Sequence, residues 1–203
     1  MVLVPRRKPI KPEEPKWRRF HVKIIVQDIL GSIPVQEKFH KFVEQHYMKE
    51  FQGEVKPDIE VAEEAGAEVS VKVFRRDEEG IYFVPGQIYG LFKEAIRAAG
   101  LSRKLTKVWL RFWVEPRRIH IGRKEPDGTV AIPVRTPYGN AISVHEHIKE
   151  AVLEFDIITL DKDFIRWLPL LISYAKRIGL GPGRSKGDYG VIRDIVVEEV
   201  EEG

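Results

Sequence analysis

The chain predicts an α+β fold built on a ferredoxin-like core, four strands and two helices in the order βαββαβ. Three observations carry this. Short apolar runs at 20–29, 108–114, 152–160 and 191–200 alternate or cluster as half-buried strands do. The segments 85–99 and 163–178 instead repeat their apolar residues at helical spacing, each set between two of those strands. With 203 residues and no cysteine, the chain is long enough for a hydrophobic core and has no disulfide or thiolate site to substitute for one.

Residues 1–19 read as a flexible N-terminal arm, because four prolines lie among charges in 1–16. Val22, Ile24 and Val26 alternate with His21 and Lys23 in the first strand, and Gly31 to Pro34 breaks it. Phe39, Phe42, Val43, Tyr47 and Phe51 share one helical stripe over 36–51. Glu68 to Phe74 alternates as a strand, Asp77-Glu78-Glu79-Gly80 turns, and Ile81 to Val84 returns. Pro85 and Gly86 open the first core helix, with Ile88, Leu91, Phe92, Ala95, Ile96 and Ala99 inward and Gly100 as the stop.

Val108 to Val114 reads as a strand whose buried face draws on Trp109, Phe112 and Trp113. Ile119–Ile121 and Thr129–Val134, joined through Pro126-Asp127-Gly128, read as a projecting hairpin. Polar 143–149 precedes the strand at 152–160. Asp163 caps or begins the second core helix, with Phe164, Trp167, Leu168, Leu171, Ile172, Ala175 and Ile178 inward; Pro169 predicts a kink or a late start. Val191 to Val200 closes the core. Residues 20–200 are thus one domain with insertions at 31–84 and 115–150.

A net charge of +3, with 43% hydrophobic and 32% charged residues, describes a globular protein. No apolar run approaches a membrane span and the N-terminus lacks a signal h-region, which predicts a cytoplasmic protein. Asn140 is the lone asparagine while Lys, Arg and Glu abound, a thermophile-like composition. The positive charge is clustered, at Arg6-Arg7-Lys8, Arg18-Arg19, Arg75-Arg76, Arg103-Lys104, Arg117-Arg118 and Arg123-Lys124. Converging in space, such clusters would form a nucleic-acid track; dispersed, they are a solvated surface.

The segment from Gly179 to Gly190 packs five glycines and two cations between the last helix and the last strand. Glycine permits positive φ and close approach to backbone amides, and Arg184 and Lys186 suit phosphate. The simpler use is a helix stop and loop. A βαββαβ core is shared with RRM-type RNA-binding domains, which favours the phosphate use.

Tyr82-Phe83-Val84-Pro85-Gly86-Gln87-Ile88-Tyr89-Gly90-Leu91-Phe92-Lys93-Glu94-Ala95 is similar to the Pro-Gly-Ser-Ser-Leu-Lys-Gly helix start of the RAMP superfamily, RNA-binding proteins of CRISPR effector complexes. Arg184-Ser185-Lys186-Gly187-Asp188-Tyr189-Gly190 resembles that family's C-terminal glycine-rich loop, with one extra residue before the last glycine. Both motifs and the element order match over about 20–200, nearest to the backbone subunits that coat guide RNA. Gln87-Ile88-Tyr89 departs from Ser-Ser-Leu and removes the hydroxyls that would meet phosphate, leaving the Pro85-Gly86 amides and the helix dipole.

The resemblance implies an RNA-binding protein, with single-stranded or guide RNA and other CRISPR-complex subunits as partners and no cofactor. Gly181, Gly183, Arg184, Ser185, Lys186, Gly187 and Tyr189 would hold the sugar-phosphate backbone with Pro85 and Gly86, and Arg117, Arg118, Arg123 and Lys124 would form a basic finger. Trp17, Tyr138 and Tyr189 are candidate base stackers. RNA-cutting relatives use an Asp after the first strand, and Asp28 is the only acid nearby. Metal-free endoribonucleases among the relatives use a histidine. Of six histidines, His120 has the most basic sequence neighbours, which would depress its pKa. His145-Glu146-His147 offers two imidazoles on one strand face but no third metal ligand. A non-catalytic oligomeric interaction module is the remaining alternative.

Overall fold

The computed structural model describes residues 16–34, 68–136, 139–184 and 188–200. The helix expected at 36–51, with His40 and His46, lies outside them, as do Tyr138, Ser185, Lys186 and Gly187. The fold mixes α and β. Its strands are β1 (Arg18–Leu30), β2 (Ile33–Pro34), β3 (Glu68–Val73), β4 (Arg75–Asp77), β5 (Gly80–Phe83), β6 (Trp113–Glu115), β7 (Ile119–His120), β8 (Gly128–Thr136), β9 (Gly139–Thr159) and β10 (Val191–Val200). The helices are α1 (Pro85–Ala98) and α2 (Lys162–Ile178).

β10, β1, β9 and β6 lie side by side, each pair antiparallel. On β1, Phe20, Val22, Ile24 and Val26 face the core; on β9, Leu153, Phe155 and Ile157 do so. Both helices pack on that face: Ile88, Leu91, Phe92, Ala95 and Ile96 of α1 and Phe164, Leu168, Leu171 and Ala175 of α2 join one cluster with the strands. Phe112 stacks on Phe164 with ring centroids 4.6 Å apart at its centre. β9 continues past this core, pairing β8 antiparallel over 139–147 and β3 parallel over 141–145.

Three local readings are corrected. Val108–Leu110 is a 3-10 turn, and the only strand in 108–114 is the start of β6 at Trp113. Lys107 opens the turn in the left-handed region, and the Arg111 guanidinium donates to the carbonyls of Thr106 (3.1 Å) and Lys104 (3.2 Å). The chain therefore doubles back, Phe112 is buried, and Trp109 and Trp113 are 54% and 51% exposed.

The hairpin expected between 119 and 134 does not form. β7 pairs with β5 in a small sheet with β4, and β8 pairs with β9. Asp127 is the reason: its backbone N–H donates to the His147 carbonyl, and its carboxylate accepts from the Lys149 N–H at 2.8 Å and from Arg123 at 2.6 Å. Pro126-Asp127-Gly128 is thereby laced to β9 and turns nothing.

α2 begins at Lys162, with Asp161, not Asp163, as its N-cap; the Asp161 carboxylate accepts from the Phe164 N–H at 2.9 Å. The late start expected from Pro169 is absent, since the helix runs continuously through it. Trp167 is half-buried at the core's margin between the cations of Lys104 and Arg166.

Candidate nucleic-acid interface

The glycine segment leaves α2 at Gly179 and turns sharply, with positive φ at Gly179, Gly181, Gly183 and Gly190. Its base is closed by two backbone bonds. Leu180 N–H donates to the Gly190 carbonyl, and Gly190 N–H donates to the Asp28 carbonyl, both at 2.8 Å. Leu180 is buried and anchors the loop in the core. A side chain at Gly190 has no room: a Cβ there would stand 1.8 Å from the Leu180 carbonyl oxygen. A Cβ on Gly183 would come within 3.0 Å of the Tyr189 ring.

Arg184 is not a free phosphate hook. It donates to the Gly181 carbonyl at 2.9 Å and to Glu94 of α1 at 2.5 Å, tying the loop to the helix. Glu94 lies nine residues past Pro85, about 13 Å along the axis at 1.5 Å per residue, so Arg184 binds the helix well away from its Pro85-Gly86 start. At that start Gln87 reaches back to accept from the Val84 N–H at 3.1 Å. The residue that departs from Ser thus closes the cap, and exposed Gly86 is left at the helix mouth.

Asp28 sits within β1 at φ 51, next to the loop base. Its carboxylate pairs with His147 Nε2 at 2.9 Å, and the Tyr189 ring stands edge-on to that imidazole. His145 turns to other partners: its Nδ1–H donates to the Gly31 carbonyl at 2.8 Å, and its Nε2 accepts from Ser143 at 3.0 Å. Burial holds the His145 pKa below the ordinary range, Lys72 adds to this, and the Gly31 carbonyl opposes it. Glu146 between them is fully buried and binds the Phe74 N–H and Arg76. Among the described residues no group of three or more His, Asp and Glu is placed to hold a metal ion.

The basic setting expected for His120 is contradicted. Its Nε2 meets the Asp77 carboxylate at 3.0 Å and its Nδ1 lies 3.4 Å from Glu79, so carboxylates flank both nitrogens. Arg118 pairs with the same Asp77 at 2.7 Å, and Arg123 is held by Asp127. Desolvation raises the Asp77 pKa, but hydrogen bonds from His120 and Arg118 outweigh it and the net shift is downward. Arg117 and Lys124 are exposed and unpaired among the described residues, but no hairpin joins them into a finger.

Trp17 is exposed and packs edge-on to Trp113 at 4.8 Å, on the sheet face away from the helices. Cations on that face and its rim are matched: Arg18 to Glu199, Arg19 to Asp156, Lys23 to Glu154.

No family model and no curated protein matches the chain. Among solved structures it is similar to a chain of the cryo-EM structure of the Type III-B Cmr-beta bound to cognate target RNA, at 13% identity and a TM-score of 0.50. The likeness is one of fold. It covers 90% of this chain and 61% of that chain, so the protein spans about three fifths of the length it matches. No helix among the described residues is long and apolar enough to cross a membrane.

Two features of α1 lie outside the sequence expectations. Glu94 carried no signal as the Arg184 partner, since ninety positions separate them. Gly90, Lys93 and Arg97 did carry one: their i, i+3, i+7 spacing puts them on a single stripe of α1.

Proposed function

We propose that the protein binds RNA as a RAMP-type subunit of a CRISPR effector complex. The observation that carries this is the placement of the glycine loop. It follows α2, precedes the edge strand of the β10-β1-β9-β6 sheet, and is pinned at its base by the Leu180–Gly190 and Gly190–Asp28 backbone bonds. The four-strand order with both helices on one face supports a ferredoxin-like, RRM-like core, and we read 31–84 and 115–150 as insertions into one cytoplasmic domain. The similar Cmr-beta structure, bound to target RNA, supports RNA and neighbouring subunits as the partners.

Backbone amides of Gly181 and Gly183, with Ser185, Lys186 and Gly187, hold phosphates. Arg184 supports them by fixing the loop on α1. Holding RNA, not cutting it, is the reading, because His120 is enclosed by carboxylates and His145 is buried. A second reading as a protein-contact module has one observation in its favour: the open sheet face shows Trp17, Trp113, Val196 and Val200 with its charges already matched.

Filter binding of single-stranded RNA across 50–400 mM salt tests the function. Affinity falling log-linearly with salt, with the slope reduced by about 0.7 in Lys186→Gln, is expected. No affinity, or affinity indifferent to salt, refutes it.

A further inference from the structure

We propose that Trp109 and the cationic stripe of α1 form a stacking subsite for one nucleotide of single-stranded RNA, beside the glycine loop. This rests on the RNA reading above. A groove of about 570 Å³ runs between α1 and the 101–110 segment, lined by Gly90, Lys93, Arg97, Lys107 and Trp109. A second groove of about 500 Å³ holds Arg177 and the Gly181–Arg184 loop, and Glu94 borders both. Glu94, held by Arg184, thus stands between the two.

The chemistry of the groove selects its occupant. Lys93, Arg97 and Lys107 form no ion pair among the described residues, whereas Arg18, Arg19, Lys23, Arg118 and Arg123 all do. The one carboxylate on the lining, Glu94, is neutralised by Arg184. Three unmatched cations beside a broad exposed indole fit a ligand that is both anionic and flat. A nucleotide offers both, with its base on the ring and its phosphates on the cations.

The indole is also preorganised. Arg111 ties the turn to Asp161 at 2.5 Å and to the Lys104 and Thr106 carbonyls, and the Arg111 carbonyl accepts from Thr159 at 2.6 Å. Val108 is buried and fixes the turn from beneath, so Trp109 and neighbouring Leu110 project outward from a rigid support. An exposed Trp-Leu pair on a fixed turn is what binding surfaces show and what folding alone does not require. Gly90 leaves the floor open, since a Cβ there would meet nothing within 4 Å.

Fluorescence anisotropy with a labelled 15-nucleotide single strand and a matching strand of abasic spacers tests the subsite. Trp109→Ala is expected to weaken binding of the base-bearing strand about tenfold, the size of one base–aromatic stack, with little change in salt slope. Trp109→Phe keeps most of the affinity, and Trp113→Ala, on the opposite sheet face, changes nothing. On the abasic strand Trp109→Ala and the native protein bind alike. Lys93→Gln with Arg97→Gln lowers the salt slope by about 1.4. Native RNA binding with Trp109→Ala unaffected, or with an equal loss on the abasic strand, overturns the subsite and leaves the wider RNA reading standing. No RNA binding by the native protein overturns both.

Discussion

Replacing Gly190 by alanine isolates the structural duty of the glycine loop. At φ +64 an alanine pays about 1–2 kcal/mol for the left-handed backbone. Its Cβ would also lie 1.8 Å from the Leu180 carbonyl oxygen, where ordinary contact begins near 3.4 Å, so backbone must part by more than an ångström. That movement breaks the Leu180–Gly190 and Gly190–Asp28 bonds, each worth about 0.5–1.5 kcal/mol. The combined cost is about 2–5 kcal/mol, a fall of roughly 10 °C in Tm for a domain of this size. Gly100→Ala is the matched control: φ is +71 but nothing stands within 4 Å, so only the backbone term of about 1–2 kcal/mol applies, roughly 4 °C. Differential scanning calorimetry of both variants reads the difference directly. A Gly190→Ala protein as stable as Gly100→Ala would refute the closed junction between loop, α2 and β1.

Three further outcomes follow from the interior. Phe112→Ala is expected to cost about 3–5 kcal/mol and Trp113→Ala under about 1 kcal/mol in urea unfolding, because one ring is wholly buried and its neighbour half exposed. Glu146→Gln removes the charge that Arg76 and the Phe74 N–H share in the interior, and a loss of about 2–3 kcal/mol is expected by the same assay. His145 has its folded pKa below the unfolded value near 6.5, so the unfolded chain takes up the proton first as pH falls. Its contribution is therefore complete above about pH 6.5 and is lost below it, at up to about 1.4 kcal/mol per pH unit. Urea midpoints at pH 7.5 and 5.5 should differ less in His145→Gln than in the native protein.

Elements with a one-sided apolar pattern were legible in the sequence. α1, α2, β1 and β10 lie within two residues of the bounds their periodicity predicts, because that periodicity directly reports which side is buried. The 108–114 run was not legible, since Trp109 in an apolar string looks the same whether it faces core or solvent. What decides its direction is the Arg111 guanidinium folding back on Lys104 and Thr106, a tertiary tie with no local signature. Charge suffered likewise: the neighbours of His120 in sequence are arginines, while its neighbours in space, Asp77 and Glu79, come from a turn some forty positions earlier. Arg184 suited phosphate by composition, and only the fold supplies Glu94. The glycine spacing was readable as a loop after a helix, but its closure onto Asp28 was not, as β1 lies more than 150 positions away.

The central place of β1 also governs how the molecule is made. Arg19 is paired with Ile158 on one side and Val200 on the other, so both edges of this strand wait for residues synthesised well over a hundred positions later. Until then a nascent chain carries thirteen strand-forming residues with neither edge satisfied, open to pairing with another copy. Arg18, Arg19 and Lys23 then act as gatekeepers whose mutual repulsion keeps such strands apart before their native carboxylate partners, Glu199, Asp156 and Glu154, have been translated. Folding of the sheet is thereby a late, long-range event, and its rate is set by closing the chain's widest loops.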